Sequence, residues 1–513
     1  MATPQISNEL LREAHADCIS DLIESQYLLD DAKKRLSRFL SDIKKTKQFI
    51  NTTTYTEMLA TAQTYVRVLD HKLDAIKTCI KTLKQSPLSL PFIAQATTLK
   101  DSSYEFIRTH ETIFGALATS TDWQSPSFDH AVQSQAGRET NTIYATINDY
   151  KRDQNWDAHY YERAFAKTNI DAFVKFPIQV LATSSGMAAF TTILTFLTFE
   201  HKATRPILMG KSSYFQNRIL LQGAFGSNII EFDETDTASI INAIQTHHPS
   251  VIFIDSLTNS PEVALPNLPL IIDYLMNHVT EDTYLVIDNT GLPLMLQPFK
   301  MMMGKRTKLR LILFESLNKY HQFGMDRITG GIIASFGGDT PKLFDYRRHA
   351  GTNIPDNLAS SLPSPNRTIL LQRLLRHQRN AMALSSTLQE WIDGNPKSPF
   401  AKIVFPGLPN HPSYVWAKTL PFTSSYFVVE FKKKYQTVAC YKRFISSVIK
   451  HAKRRKVHLV AGSTFGINQT RLYLTSLWSR PSMPFVRIAV GTENRIAIEA
   501  VKEIFVKVFC TFR

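Results

Sequence analysis

Three short stretches of the 513-residue sequence hold side chains whose types and surroundings favour chemistry. Tyr284-Leu285-Val286-Ile287-Asp288-Asn289-Thr290 is an apolar, β-branched run closed by an acid. A carboxylate at the end of a buried strand is costly to desolvate unless a cation meets it. Thr183-Ser184-Ser185-Gly186-Met187-Ala188 stands just before an apolar helical run. A Ser-Gly turn at a helix N-terminus offers free amides, hydroxyl groups and the positive end of the helix dipole to a phosphate. Ser316-Leu317-Asn318-Lys319-Tyr320 sets a lysine just past a third apolar run, with Asp326 and Gly330-Gly331 following. An amine near such an acid, beside a phosphate cradle, is the equipment for a Schiff base with pyridoxal phosphate.

Other chemistries find less support. No GxGxxG, HExxH or GxSxG motif occurs, and Met209-Gly210-Lys211-Ser212 imitates the end of a P-loop only in part. Arg205 stands where that loop needs its first glycine. The histidines show no ligand spacing on one helix face, so no metal site is expected. The net charge of +15 includes the runs Lys432–Lys434 and Lys453–Lys456. Neither run is interleaved with aromatics, so they read as a solvated basic face and no nucleic-acid partner is expected. Four scattered cysteines without a CxxC pair point to a reducing compartment. No basic segment followed by an apolar core opens the chain, so no signal peptide is expected and the protein is read as cytoplasmic. Residues 180–199 are uncharged, but the Ser-Ser-Gly turn interrupts them, which fits a buried loop and helix better than a membrane span.

The elements that must position these side chains follow from periodicity. Hydrophobic residues at 43% and charged residues at 20% are ordinary for a globular chain of roughly three domains. Over residues 1–125, Leu22, Leu29, Ala32, Leu36, Phe39 and Ile43 recur at helical spacing, and Leu59 to Leu83 form a second such series. Thr54-Tyr55-Thr56-Glu57 reads as the capping box of that second helix, Pro87 and Pro91 as its end, and Asp101-Ser102-Ser103 as the cap of a third. Such helices either cover their own chain or dock a partner protein. From about residue 180, Val251–Asp255, Thr283–Asp288, Leu309–Phe314 and Gly331–Ser335 alternate with amphipathic helices, which predicts parallel strands covered on both faces. Chemistry in such sheets gathers at the carboxyl ends of the strands. Beyond about residue 345 a long helix, Arg367–Trp391, strands near 425–431 and 485–490, and a last helix over Thr492–Phe509 predict a smaller α+β domain.

At this point the sequence resembles the Cys/Met-metabolism pyridoxal-phosphate enzymes, among them cystathionine γ-synthase, the cystathionine lyases and methionine γ-lyase. Tyr150-x-Arg152-x-x-Asn155 with Tyr161-Glu162 follows the family's YxRxxNPT…LE spacing, and Ser184–Ala189 matches its SSGMAA loop. Asp255–Asn259 is similar to its E(S/T)P(S/T)N strand end, and Asp288-Asn289-Thr290 to its DNT. Ser316–Tyr320 resembles SATKY, Arg367–Ala381 the helix ending in RHxxNA, and Arg487–Glu493 the motif RLSVGLE. These pieces keep their order over about residues 135–510.

The resemblance implies an α/β, fold-type I PLP-dependent transferase: a mostly parallel large domain over 126–345, a smaller α+β domain over 346–513, and an added helical region over 1–125. It implies that Lys319 carries the cofactor and moves the Cα proton, and that Asp288 pairs with the pyridinium nitrogen. Gly186, Met187 and Ser316 would hold the phosphate, with Tyr150 and Arg152 reaching it from a neighbouring subunit of a homodimer or homotetramer; Ser185 and Asn318 would also bind the cofactor. Tyr214 would stack on the ring, Asn259 would meet the ring hydroxyl, and Arg487 and Ser463 would clamp the substrate carboxylate. Tyr150 and Tyr214 also count among the catalytic residues. The sequence departs from the family at Asn155-Trp156-Asp157, at Asn318 in place of threonine, and at His321–Gly324. Gln469-Thr470-Arg471 adds a second arginine near the expected substrate mouth, favouring a substrate with a distal acid such as an acyl-homoserine. The expected activity is γ-replacement on an O-acyl-homoserine-like substrate, with β- or γ-elimination as the alternative. A PLP-fold scaffold with a partner-binding helical module is the reading from another class.

Overall fold

The computed structural model describes residues 7–46, 52–120, 156–171, 178–475 and 483–512. Three helices come first: α1 (Asn8–Asp42), α2 (Thr52–Gln85) and α3 (Leu90–Ala118). The third begins eleven residues before the expected cap at Asp101, because Pro91 opens it rather than closing the second. Proline lacks only an amide that the first helical turn leaves unpaired anyway, and its φ already suits a helix. Helix α2 likewise starts at Thr52, which puts Thr54 inside its first turn.

The apolar stripe of this region is covered by the chain itself. Leu22, Leu29 and Leu36 of α1 pack with Leu69, Leu73 and Ile76 of α2 and with Ile107 and Phe114 of α3. The same core continues into Leu257, Val263, Tyr320, Phe323, Leu370 and Leu374 of the rest of the chain. Removing the helices would bare that shared face. A chain truncated to start at residue 126 is therefore expected to aggregate, and recovery of soluble, cofactor-binding truncated protein would show instead a separable module.

A seven-stranded sheet positions the site. Its strands are β1 (Ile178–Thr183), β2 (Ile207–Gly210), β3 (Ile229–Phe232), β4 (Val251–Asp255), β5 (Thr283–Asp288), β6 (Leu309–Ser316) and β7 (Gly331–Phe336), in the order β1-β7-β6-β5-β4-β2-β3. Strands β3, β2, β4, β5 and β6 pair in parallel, as their both-sided burial requires. Along β4, Ile252 and Ile254 enter one core while Val251 and Phe253 enter the core on the opposite face. Strand β7 departs from the expected parallel pairing, running antiparallel to both β6 and β1. Residues 317–330 contain no crossover helix, so the chain re-enters the sheet from the end it has just left. That return loop carries Lys319.

Helices α4 (Trp156–Asn169), α5 (Gly186–Phe199), α6 (Phe215–Phe225), α7 (Thr237–His247), α8 (Leu268–His278) and α9 (Thr340–His349) flank the sheet. The uncharged stretch 180–199 divides into the end of β1 and helix α5, so it is a strand and helix rather than a loop and helix. No helix among the described residues is long and apolar enough to cross a membrane. Glu162 of α4 accepts hydrogen bonds from the Ala182 amide at 2.8 Å and from Arg347 of α9 at 2.6 Å, and so fixes β1 just ahead of the Ser185 turn.

After the short helix α10 (Asp356–Ser361), the long helix α11 (Arg367–Gly394) leads into a second sheet of β8 (Phe400–Val404), β9 (Tyr426–Phe431), β10 (Val460–Ala461), β11 (Arg471–Thr475) and β12 (Phe485–Ala489), in the order β10-β11-β12-β9-β8. Helices α12 (Val438–Arg455) and α13 (Arg495–Thr511) pack with α11 on its core. The last helix starts at Arg495 because the Asn494 side chain caps it.

Candidate functional site

The carboxyl ends of β4, β5 and β6, the start of α5 and the second sheet enclose a cavity of about 750 Å³. Of the residues expected from the sequence, Ser185, Gly186, Met187, Ser316 and Asn318 line it. Ser185 caps α5, its Oγ accepting from the Ala188 amide at 2.9 Å. The first-turn amides of Gly186 and Met187 have no helical acceptor, which leaves them to a ligand. Gly186 is required by close approach, since a Cβ there would lie 2.8 Å from the Ser316 Cβ. The Ser316 amide donates to Thr290 Oγ1 at 2.9 Å, which fixes the end of β6 against β5. Asn318 turns its side-chain oxygen inward to accept from the Gly330 amide at 3.2 Å, so that atom is spent on the loop's own turn.

The acids lie side by side at the strand ends, where Asp255 and Asp288 are register partners. Asp288 accepts from the Thr290 amide at 3.0 Å and from Asn217 Nδ2 at 3.5 Å. Burial pushes its carboxyl from 3.8 up to about 6, the Thr290 hydrogen bonds working against it and Glu315 adding to it. Asp255 accepts from the Tyr214 amide at 3.0 Å. Burial, with Asp288 and Glu234 nearby, raises its carboxyl well above the usual carboxylate range. A cation arriving beside this pair would draw a proton off one of them.

Lys319 lines the same cavity. Its Nζ donates to Thr464 Oγ1 at 3.1 Å and lies 5.3 Å from the centroid of the Phe465 ring. Burial lowers its pKa, Asp326 opposes that shift, and Arg487 and Arg471 reinforce it. A lysine so placed is a stronger nucleophile and base at neutral pH than a solvated one.

Arg487 of β12 is 2% exposed, yet no acidic side chain pairs with it among the described residues. Its Nη1 donates to Asn259 Oδ1 at 2.7 Å and its Nη2 donates to the Ser463 carbonyl. The Tyr426, Phe465 and Tyr473 rings surround it at 5.4 to 5.9 Å. A buried guanidinium held by neutral groups is a site for an anion to complete. Tyr214, Asn259 and Ser463 also line the cavity. The Tyr214 hydroxyl donates to Gln216 Oε1 at 2.9 Å.

Arg471 is set back from the cavity lining. It shares the face of β11 with Tyr473 and Thr475, which do line the cavity, but it opens the strand at the far end, beside Gly462. Lys211, which the sequence had offered only as part of an imperfect P-loop, does line the cavity, as does Arg218, which is paired with Glu231. Tyr150 and Arg152 lie outside the described residues. Sequence reasoning missed Asn217, Glu234 and Tyr426, whose motifs are unremarkable and whose partners are remote in sequence. Thr464 and Phe465, which follow the predicted Ser463, belong to the same set.

Residues 103–465 match the family described as Cys/Met metabolism PLP-dependent enzyme. Among curated proteins, the bifunctional enzyme flvA of Aspergillus flavus is 23% identical over 317 residues, 62% of this chain and 37% of that protein. Cystathionine gamma-lyase of Rattus norvegicus is 25% identical over 240 residues, 46% of this chain and 55% of that protein. The chain thus spans about half the length of these relatives or less. Among solved structures, cystathionine gamma synthase from Xanthomonas oryzae pv. oryzae in complex with cystathionine superposes with a TM-score of 0.55 at 18% identity, over 72% of this chain and 90% of that one.

Proposed function

The chain belongs to the Cys/Met-metabolism PLP-dependent enzyme family, and we propose that within it the protein performs γ-replacement on an O-acyl-homoserine-like amino acid. The observation that carries this reading is the convergence of Lys319, Asp288 and an acid-free Arg487 on one cavity. Pyridoxal phosphate fits the groups present: first-turn amides and hydroxyls for its phosphate, a buried acid for its ring nitrogen, and a desolvated amine for its aldehyde. When bound, it supplies an electron-withdrawing ring that stabilises negative charge at the substrate Cα.

The chain's own residues supply the rest. Arg487 takes the α-carboxylate on its guanidinium edge and so fixes which bond at Cα stands across the ring. Lys319 Nζ would remove the proton at Cα, pass it on, and then remove a proton at Cβ, so that the electron pair left there can expel the γ-substituent. Tyr214, which would stack on the cofactor ring, and Tyr150 are proposed to assist there. A cavity of about 750 Å³ has room for an amino-acid substrate beside the cofactor. Lys211 in the cavity lining suits a distal acid on the substrate, the part first expected of Arg471. Tyr150 and Arg152 are proposed to complete the phosphate site of a neighbouring subunit, in a homodimer or homotetramer in the cytoplasm.

Purified protein supplied with a panel of acyl-homoserines, cystathionine and methionine, with and without a thiol, tests the reading. Thiol-dependent loss of the acyl group without 2-oxo acid is the expected result. Release of 2-oxo acid alone would assign elimination, and no turnover by a protein that binds the cofactor would favour the scaffold reading.

Asp288 gives a prediction with two opposite signs. Its folded value of about 6 lies above its ordinary 3.8. Its contribution to cofactor-free stability is therefore full below that ordinary value and lost as pH rises through about 6. Asp288→Asn should melt higher than wild type at pH 7 without cofactor, the gap closing below about pH 4. The same variant should bind pyridoxal phosphate about 10- to 150-fold more weakly, the value of a hydrogen bond to a charged group. Melting curves with and without cofactor at both pH values check both signs.

A further inference from the structure

Helix α1 reaches the active site through a buried ladder of charges. Asp17, Asp21 and Glu24 recur at steps of four and three and so share one face of α1. Arg373, Arg376 and Arg379 recur at steps of three on α11 and meet them in antiparallel order. Asp17 takes a two-pronged contact from Arg379 at 2.9 and 2.8 Å, Asp21 pairs with Arg376, and Glu24 Oε1 accepts from Arg373 Nη1 at 2.5 Å. Buried ion pairs repay little more than their desolvation, so stability alone gives no reason for charges here.

The last rung differs from the others in what else it holds. Arg373 Nη1 also donates to Asn468 Oδ1 at 2.9 Å, and its Nη2 donates to the Gly466 carbonyl at 3.3 Å. Gly466 has φ +78°, and a Cβ on it would lie 2.9 Å from the Tyr320 ring and 3.1 Å from the Lys319 carbonyl carbon. Gly324, with φ +85°, leaves room for Arg373 itself, whose Nη2 would lie 2.8 Å from a Cβ there. Arg373 therefore bonds the 463–468 loop and packs against Gly324 of the loop that carries Lys319, and Thr464 and Phe465 are the groups touching the Lys319 amine. Tyr27 of α1 adds an edge-on contact to Phe323, with centroids 5.9 Å apart.

We propose that Glu24 is a positioning residue for Lys319: through Arg373 it fixes the 463–468 loop, whose Thr464 and Phe465 hold the Lys319 amine in the cavity. This rests on Lys319 being the cofactor-bearing lysine. The helical region is then a working part of the catalytic site.

The test compares Glu24→Gln with Asp17→Asn in the full chain. Asp17→Asn breaks a rung of the same ladder that touches neither loop. The readout is the rate at which Lys319 in cofactor-free protein reacts with an amine-directed reagent, followed across pH by peptide mass spectrometry. Asp326, Arg487 and Arg471 bear on Lys319 and are unchanged in both variants. Glu24→Gln should raise the midpoint of that profile by about one pH unit, as a released amine regains water. Asp17→Asn should leave it in place even as both proteins melt lower. Simple loss of a negative charge would lower the midpoint instead, so the sign separates positioning from electrostatics. An unchanged or lowered midpoint in Glu24→Gln, or an equal rise in Asp17→Asn, would overturn the proposal. Should Glu24→Gln fail to fold, Arg373→Lys decides, because it keeps the cation but lacks the fork that reaches Gly466 and Asn468; it is expected to raise the midpoint likewise. Wild-type protein that gains no visible absorbance with pyridoxal phosphate would sink the cofactor role of Lys319 while leaving the labelling comparison intact.

Discussion

Lys319→Ala should lose about 10,000-fold or more in kcat, because one side chain is asked both to carry the cofactor and to move the Cα proton. Borohydride treatment of the wild type should fix the cofactor on the peptide containing Lys319, and the variant should yield no such adduct while keeping its fold. Lys319→Arg retains a positive charge but cannot release a proton near neutral pH, so it should be as inactive as the alanine variant. The lowered pKa of Lys319 comes first from burial and then from Arg487 and Arg471, with Asp326 opposing. Its amine is thereby held ready without an adjacent general base. A wild-type protein that stays colourless with pyridoxal phosphate and gives no adduct would remove the enzyme reading altogether.

How much of this was legible in the sequence depends on the distance over which each residue is determined. Asp288, Ser316 and Lys319 stood out because buried parallel strands read as unbroken apolar runs, and their polar ends mark where the chain leaves the sheet. Gly186 was legible through the Ser-Gly turn before an apolar helix, a local pattern with a local cause. Strand β7 reads like its neighbours, yet it pairs antiparallel, because direction is set by how the preceding loop returns and not by the strand's own residues. Strand β1 was hidden in the uncharged stretch 180–199, where strand and helix adjoin without a change of hydrophobicity. The contact between Glu24 and Arg373 spans 349 positions; Arg373 lies in the Arg367–Ala381 motif, but Glu24 sits in none. Arg471 was read from its charge as a ligand contact; it stands at the start of β11, outside the cavity lining but near enough to act on the Lys319 amine.

Arg487 carries the remaining large effect, and a cycle of substitutions isolates it. The guanidinium is 2% exposed, holds Asn259 and the Ser463 carbonyl, and has no acidic partner among the described residues. Burial holds its pKa below the usual arginine value, which marks the strain of an unpaired buried cation. A substrate carboxylate would relieve that strain, so discarding either partner leaves the other buried and uncompensated. Truncating one side of such a pair costs about 2–5 kcal/mol, or about 30- to 5,000-fold in kcat/KM. Arg487→Leu should lose that factor on the amino-acid substrate, and Arg487→Lys should recover only part of it, since an ammonium cannot make the two-pronged contact. Wild type acting on the analogue that lacks the α-carboxylate should lose a similar factor. The discriminating measurement is Arg487→Leu with that analogue: if the two groups meet, the losses do not add, and the variant no longer distinguishes the analogue from the substrate. Fully additive losses would mean that Arg487 supports the Tyr426, Phe465 and Tyr473 wall without touching the carboxylate, and the anion site would then have to be sought at Lys211.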